Sequence, residues 1–269
     1  MRLILVILFL TALVSAASAA ENFELLFDGH GDINSYIYFQ QDSAFLIDTE
    51  LNATIETFRY KKFYLSLDLF KETSMGRKYN SNMIFDPTRA HWSFGLTGRL
   101  EMRRYFYEFQ FHHDCFHSID RWEDKSIYWN SPRFGFGSVG YLSKNKFRKY
   151  DEIGSGFKSP PQTEFYLLAS FYVPRGASWQ KTHDYDFTLN ANLYFQFYRM
   201  KIIGLAIESN NLLALNREHD IKLQNHLSLD FILYGKKGVL MAYLAWWPHD
   251  DQSVRNKDGR AAFGIHLGF

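Results

Sequence analysis

From residue 33 onward the chain alternates apolar and polar residues in short runs, each interrupted by turn-forming or charged residues. The last run is the clearest. Phe263, Ile265, Leu267 and Phe269 share one face, while Arg260, Ala262, Gly264, His266 and Gly268 share the other. A period of two predicts a strand with one apolar and one small or polar side. Residues 44–58 repeat it, with Phe45, Ile47, Leu51, Ala53 and Ile55 opposed to Asp48, Glu50, Asn52, Thr54 and Glu56. After Arg59-Tyr60-Lys61, residues Phe63, Leu65, Leu67 and Leu69 oppose Lys62, Tyr64, Ser66 and Asp68, so the two runs are expected to pair as a hairpin. Trp92, Phe94, Leu96, Leu100 and Met102 then oppose Ser93, Thr97, Arg99, Glu101 and Arg103. A row of carboxylates is hard to bury in a dry core. A wet or charge-paired interior accepts it.

Extending this reading predicts strands at 33–41, 44–58, 62–71, 90–102, 104–114, 132–143, 162–174, 186–198, 201–210, 225–234, 239–247 and 260–269. Short turns at Arg59–Lys61, Arg103-Arg104, Tyr198–Met200 and Gly235–Gly238 alternate with long polar loops at 72–89, 115–131, 175–185, 211–224 and 248–259. The connection 144–161, with Pro160-Pro161, breaks the alternation. The expected fold is an all-β, transmembrane, antiparallel up-and-down β-barrel of about 12 strands, apolar outside and polar within. A soluble periplasmic sandwich with the same alternation is the competing fold.

The ends of the chain sharpen this. Met1-Arg2, the apolar run Leu3 to Val14 and the small residues Ala17-Ser18-Ala19 read as a secretory signal peptide. Residues 1–20 are therefore set aside and 21–269 taken as a single barrel domain. The terminal Phe269 resembles the closing signature of bacterial outer-membrane barrels. That resemblance implies a cell outer-membrane location in a Gram-negative-type envelope, with the barrel assembly machinery and outer-membrane lipids as partners.

Composition agrees. Aromatic residues make up 18% of the chain, with 26 Phe, 17 Tyr and 6 Trp, yet mean hydropathy is only −0.28. Alternation reconciles the two, with aromatics facing lipid and polar groups facing the lumen. A net charge of +1 gives no reason to expect nucleic acid. Cys115 is the only cysteine, which excludes an internal disulfide.

Chemistry concentrates in one segment, Phe111-His112-His113-Asp114-Cys115-Phe116-His117-Ser118-Ile119-Asp120. Strand parity assigns His112 and Asp114 to the lumen face, and His113, Cys115 and, if the strand persists, His117 to the lipid face. His113-x-Cys115 resembles the outward His-x-Ser dyad of the outer-membrane phospholipase A family, with sulfur in place of oxygen. In that family an Asn on the neighbouring strand orients the imidazole, a part for which Asn130 is the candidate here. That resemblance implies an acyl hydrolase with Cys115 as nucleophile and His113 as base. It departs at Phe116-His117, where the family has a small Asn-Gly, and Asn130 lies further along than the family spacing. His113-x-Cys115-x-His117-x-x-Asp120 is also similar to a His-x-Ser-x-His-x-x-Asp segment of uncharacterised barrels, which implies fold and location only.

Two further readings of the segment stay open. His112, Asp114, His117 and Asp120 are candidate ligands for a divalent cation. Alternatively His and aromatics simply form the interfacial girdle, as Trp246 and Trp247 do before the acidic tip Asp250-Asp251. For the interior, Asp48, Glu50 and Glu56 against Arg99 and Arg103 suit either a narrow diffusion channel or a lumen filled by ion pairing. The filled lumen is favoured. The leading expectation is thus a membrane barrel of structural or lipid-related role, with the lipid acyl ester hydrolase and the channel as alternatives.

Overall fold

The structure is a computed structural model and describes residues 23–42, 45–76, 86–118, 127–142, 161–173, 185–200, 202–235, 238–252 and 256–269. Residues 1–20, expected as a signal peptide, lie outside them, as do Asp120 and most of 144–161. Twelve strands follow in chain order: β1 (Phe23–Tyr38), β2 (Ile47–Tyr60), β3 (Phe63–Gly76), β4 (Asp86–Glu101), β5 (Tyr105–Ser118), β6 (Ile127–Ser138), β7 (Gln162–Phe171), β8 (Tyr185–Met200), β9 (Ile203–Asn216), β10 (Ile221–Tyr234), β11 (Val239–Asp250) and β12 (Ala261–Gly268). Each pairs antiparallel with its neighbours in sequence, and β12 returns to β1 to close the barrel. Closure removes the free edges of the sheet, the condition for a sheet to sit in hydrocarbon.

The expected faces hold along the wall. Phe263, Ile265, Leu267 and Phe269 are 40–51% exposed, while Ala262 is fully buried and His266 is 7% exposed. Leu227, Leu229, Phe231 and Leu233 likewise point outward, with Ser228 and Asp230 inward. The exposed apolar side chains ring the barrel. Water does not tolerate an apolar surface of that extent on a lone soluble domain, whereas a bilayer core solvates it.

The interior is crossed by a polar network of hydrogen bonds and ion pairs. Arg99 donates to Glu56 at 2.7 Å and to Glu101 at 2.9 Å. Tyr38 donates to Asp48 at 2.6 Å, Asn52 to Asp32 at 2.9 Å, and Tyr166 to Glu108 at 2.8 Å. Lys257 stands 3.8 Å from Asp48 and 3.9 Å from Glu72. A single helical turn, α1 (Val139–Leu142), follows β6. Its Tyr141 stacks on Tyr166 with ring centroids 5.4 Å apart and lines both lumen cavities, of about 520 and 400 Å³.

Inward glycines let rings lie flat on the wall. A Cβ at Gly264 would come within 2.1 Å of the Tyr243 ring, whose hydroxyl donates to Asn34 at 2.6 Å. Gly264→Val is expected to displace that ring and lower stability by about 1–3 kcal/mol. The denaturant midpoint of protein refolded into vesicles measures it, and an unchanged midpoint contradicts the packing described.

Several expectations are corrected. β1 begins at Phe23, not 33, because its first half carries a bulge between Leu25 and Asp28 that breaks the alternation. Phe45 is not on the lipid face. It lies before β2, 8% exposed, and packs edge-on to Tyr38 in an aromatic cluster that includes Tyr36 and Trp247. Arg103 is exposed in the β4–β5 turn rather than lining the lumen. The loop expected at 211–224 shrinks to 217–220, since β9 and β10 continue pairing from Asn211–Asn225 to Leu215–Ile221. Asp250 is no exposed tip. It is 1% exposed and accepts the backbone N–H groups of Gln252 at 3.0 Å and Lys257 at 2.8 Å.

Candidate lipid-facing site

β5 runs to Ser118, so its parity persists through the whole His-rich segment. His113, Cys115 and His117 form a half-buried column on the outward face, and His112, Asp114 and Phe116 point into the barrel. His113 stands eight residues beyond the turn-side end of β5. At about 3.4 Å per residue and a strand tilt near 40°, that raises it roughly 20 Å above the short-turn end. The column therefore lies near the long-loop rim of an apolar band about 25 Å tall.

The register sets His113 directly opposite Asn130 on β6 and Phe94 on β4. His113 Nδ1 lies 2.7 Å from Asn130 Oδ1. An amide oxygen can only accept, so Nδ1 carries the proton and Nε2 is left as the basic nitrogen. The ring is wedged between Phe94, centroids 5.0 Å apart, and Tyr128, stacked at 6.2 Å. Asn130 is itself anchored, its carbonyl accepting the Val173 N–H at 2.9 Å. Thus an imidazole of fixed tautomer and orientation faces away from the lumen.

Cys115 pairs across the sheet with Trp92 and Tyr128. Its Sγ lies 2.6 Å from His117 Nε2. Sequence reasoning gave the thiol to His113 and placed His117 among metal ligands. Both histidines stand two positions from Cys115 on one face, so spacing alone carried no signal that could choose between them. The structure brings together His113 with Asn130, and Cys115 with His117, in one continuous outward column. A thiol in contact with an imidazole nitrogen is set up to transfer its proton and become a nucleophile.

The three candidate cation ligands within the described residues are not gathered. His112 and Asp114 face the lumen, His117 faces outward, and Asp120 lies outside the described residues. Asp114 accepts from Arg133 and contacts His91 at 3.2 Å, so its charge is already met by neighbouring side chains. His112 Nδ1 lies 3.0 Å from Ser93 Oγ, and its ring covers Gly95. Among the described residues no three His, Cys, Asp or Glu side chains converge as a metal site. The inward half of the segment belongs to the polar network inside the barrel.

No family model matches the chain, and no curated protein matches it. Solved structures do. The outer membrane phospholipase A of Escherichia coli superposes with a TM-score of 0.52 at 10% identity, over 92% of this chain and 98% of that one. The outer membrane phospholipase of Salmonella typhi, a dimer with bound calcium, gives 0.52 at 10% identity over 91% and 92%. At that identity the likeness is one of fold. The chain therefore has a closed barrel similar, over nearly its whole length, to those of outer-membrane phospholipases.

Proposed function

We propose that this chain is an outer-membrane barrel that hydrolyses acyl esters of membrane lipid at its outward wall, with Cys115 as nucleophile. One observation carries the reading: a thiol in contact with a histidine, beside an Asn-held histidine, is presented to hydrocarbon instead of to the lumen. Only a lipid substrate reaches such a position. The fold likeness to outer-membrane phospholipases and the apolar exterior support the location, and the terminal Phe269 strand is the segment for the assembly machinery to read.

The step runs as follows. His117 takes the Cys115 proton, and the thiolate attacks the ester carbonyl carbon. The tetrahedral adduct collapses, the carbonyl carbon–alkoxy oxygen bond breaks, and the alcohol leaves with the proton from His117. Water at the rim then attacks the thioester, giving a proton to His113 Nε2. The fatty acid departs and the proton returns to sulfur. His113 thus serves deacylation, and the base in contact with the thiol is His117.

The experiment is ester release from phospholipid and from lipid A in mixed micelles, comparing the parent with His113→Ala, His117→Ala and Asn130→Ala. His113→Ala is expected to accumulate one acyl chain on Cys115, seen as a mass increment, and His117→Ala to accumulate none. Asn130→Ala, which frees the His113 ring to rotate, is expected to lower kcat on the order of 10²-fold. Ester release equal in all four proteins, or absent from all, contradicts the proposal.

The rival reading is a narrow channel, favoured by the two polar cavities in the lumen. Against it stand Tyr141, wedged between them, and the ion pairs of Arg99 with Glu56 and Glu101. A steady planar-bilayer conductance that changes with Asp48→Asn or Arg99→Met establishes the channel.

A further inference from the structure

The row of outward side chains at the level of the thiol continues past it. Across four strands, the register aligns Lys71 on β3, Trp92 on β4, Cys115 on β5 and Tyr128 on β6. One row nearer the short-turn end lie Leu69, Phe94, His113 and Asn130. Lys71 is the one Lys or Arg on the outward faces of β3 to β5 among the described residues. Its ammonium lies 4.4 Å from the centroid of the Trp92 ring, which is itself exposed to lipid. No carboxylate partner for it occurs among the described residues, and the next acidic residue, Glu72, points into the lumen toward Lys257.

A lipid-facing lysine costs about 2–4 kcal/mol at the bilayer midplane and about 0–1 kcal/mol near the interface. Lys71 stands level with Cys115 in the register, one row beyond His113 toward the long-loop rim. It is thus placed where charge is tolerated and where lipid phosphates begin. Trp92, pinned beneath it, holds the long side chain toward the thiol and not away from it. The Lys71 ammonium lies over Trp92, whose strand neighbours that of Cys115, one strand spacing or about 5 Å away. The few bonds between a glycerolipid's phosphate and its first acyl ester span a comparable length. With the phosphate on Lys71, the ester falls over Cys115 and the acyl chain runs down over Phe94 and Leu96 along the apolar wall.

We infer that Lys71, seated on Trp92, is a docking site for the phosphate of a membrane lipid, and that it selects phospholipid over uncharged glycerolipid and sets the ester over Cys115. The second half of this rests on the hydrolase reading above. The first half does not. Lys71 is a positioning residue that acts before any bond breaks.

The test uses the full-length barrel in bilayers doped with spin-labelled phosphatidic acid or spin-labelled diacylglycerol, lipids that differ in the phosphate alone. Relative association is read from the motionally restricted fraction of the spectrum. The parent is expected to prefer phosphatidic acid by about fivefold, the worth of one basic residue near the surface. Lys71→Gln removes the preference, and Lys71→Arg retains most of it. Millimolar inorganic phosphate, which brings the same oxygens without chains, leaves the preference in place. Equal association of the two lipids with the parent, or a preference that survives Lys71→Gln, overturns the inference. If the preference is present but neither lipid is hydrolysed, the hydrolase reading fails and the docking site stands. If both hold, KM for phosphatidic acid rises about fivefold in Lys71→Gln with kcat kept, while turnover of diacylglycerol is unaltered.

Discussion

Cys115→Ala is expected to bring acyl-ester release to the background of the lipid dispersion, a fall of at least about 10³-fold, because it deletes the only atom able to form the acyl intermediate. The barrel itself is expected to survive. Cys115 is half-buried on the outward wall with its thiol beside His117, and alanine suits a lipid-facing position. Folding is checked independently by the shift in gel mobility between heated and unheated samples. A folded Cys115→Ala barrel that still releases fatty acid removes sulfur from the chemistry. In that case the His113–Asn130 pair returns to the girdle of polar and aromatic residues expected at a membrane interface. Cys115→Ser is the informative companion: it keeps an attacking atom but with a far higher pKa, so residual activity that depends on His117 argues for the dyad.

The second large effect is on stability. Arg99 is buried among carboxylates, with Glu56 and Glu101 at 2.7 and 2.9 Å and its guanidinium 4.9 Å from the Tyr64 ring centroid. Arg99→Met leaves two inward carboxylates without their cation, a loss of about 3–5 kcal/mol for an interior pair broken from one side. Adding Glu56→Gln is expected to restore a large part of it, since the penalty belongs to the stranded charge more than to the missing attraction. Urea unfolding in vesicles measures both. If Arg99→Met unfolds at the parent's midpoint, the lumen is wetter than the network implies, and the channel reading gains.

The strands and faces were legible because each spanning segment must keep lipid on one side for its whole length, and that forces an unbroken period of two. β1, missed in its first half, departs from that rule. Asp28, Gly29, His30 and Gly31 interrupt its alternation, and Phe27 adopts a left-handed backbone with φ of 48° at the bulge. Phe45 kept the right parity yet packs inward, because it stands before the strand begins and no sheet fixes its direction. The site was legible in its residue types and its side of the wall. Its partners were not. Which histidine the thiol touches depends on side-chain rotation, and the meeting of His113 with Asn130 depends on the β5–β6 register. The alignment of Lys71 with Cys115 needs two further registers, neither of which the local pattern records.

The central claim is that the outer wall is wetted by hydrocarbon. Its most direct measurement is spin-label accessibility along β10 in a Cys115→Ala background. Single substitutions Leu227→Cys, Leu229→Cys, Phe231→Cys and Leu233→Cys are compared with Ser228→Cys and Ile232→Cys after reconstitution in bilayers. The four outward positions are predicted to relax readily with membrane-dissolved oxygen and poorly with a water-soluble nickel chelate, alternating with the two inward ones. Equal accessibility along the strand, or a chelate that reaches the Leu and Phe positions best, contradicts the account and takes the proposed site with it.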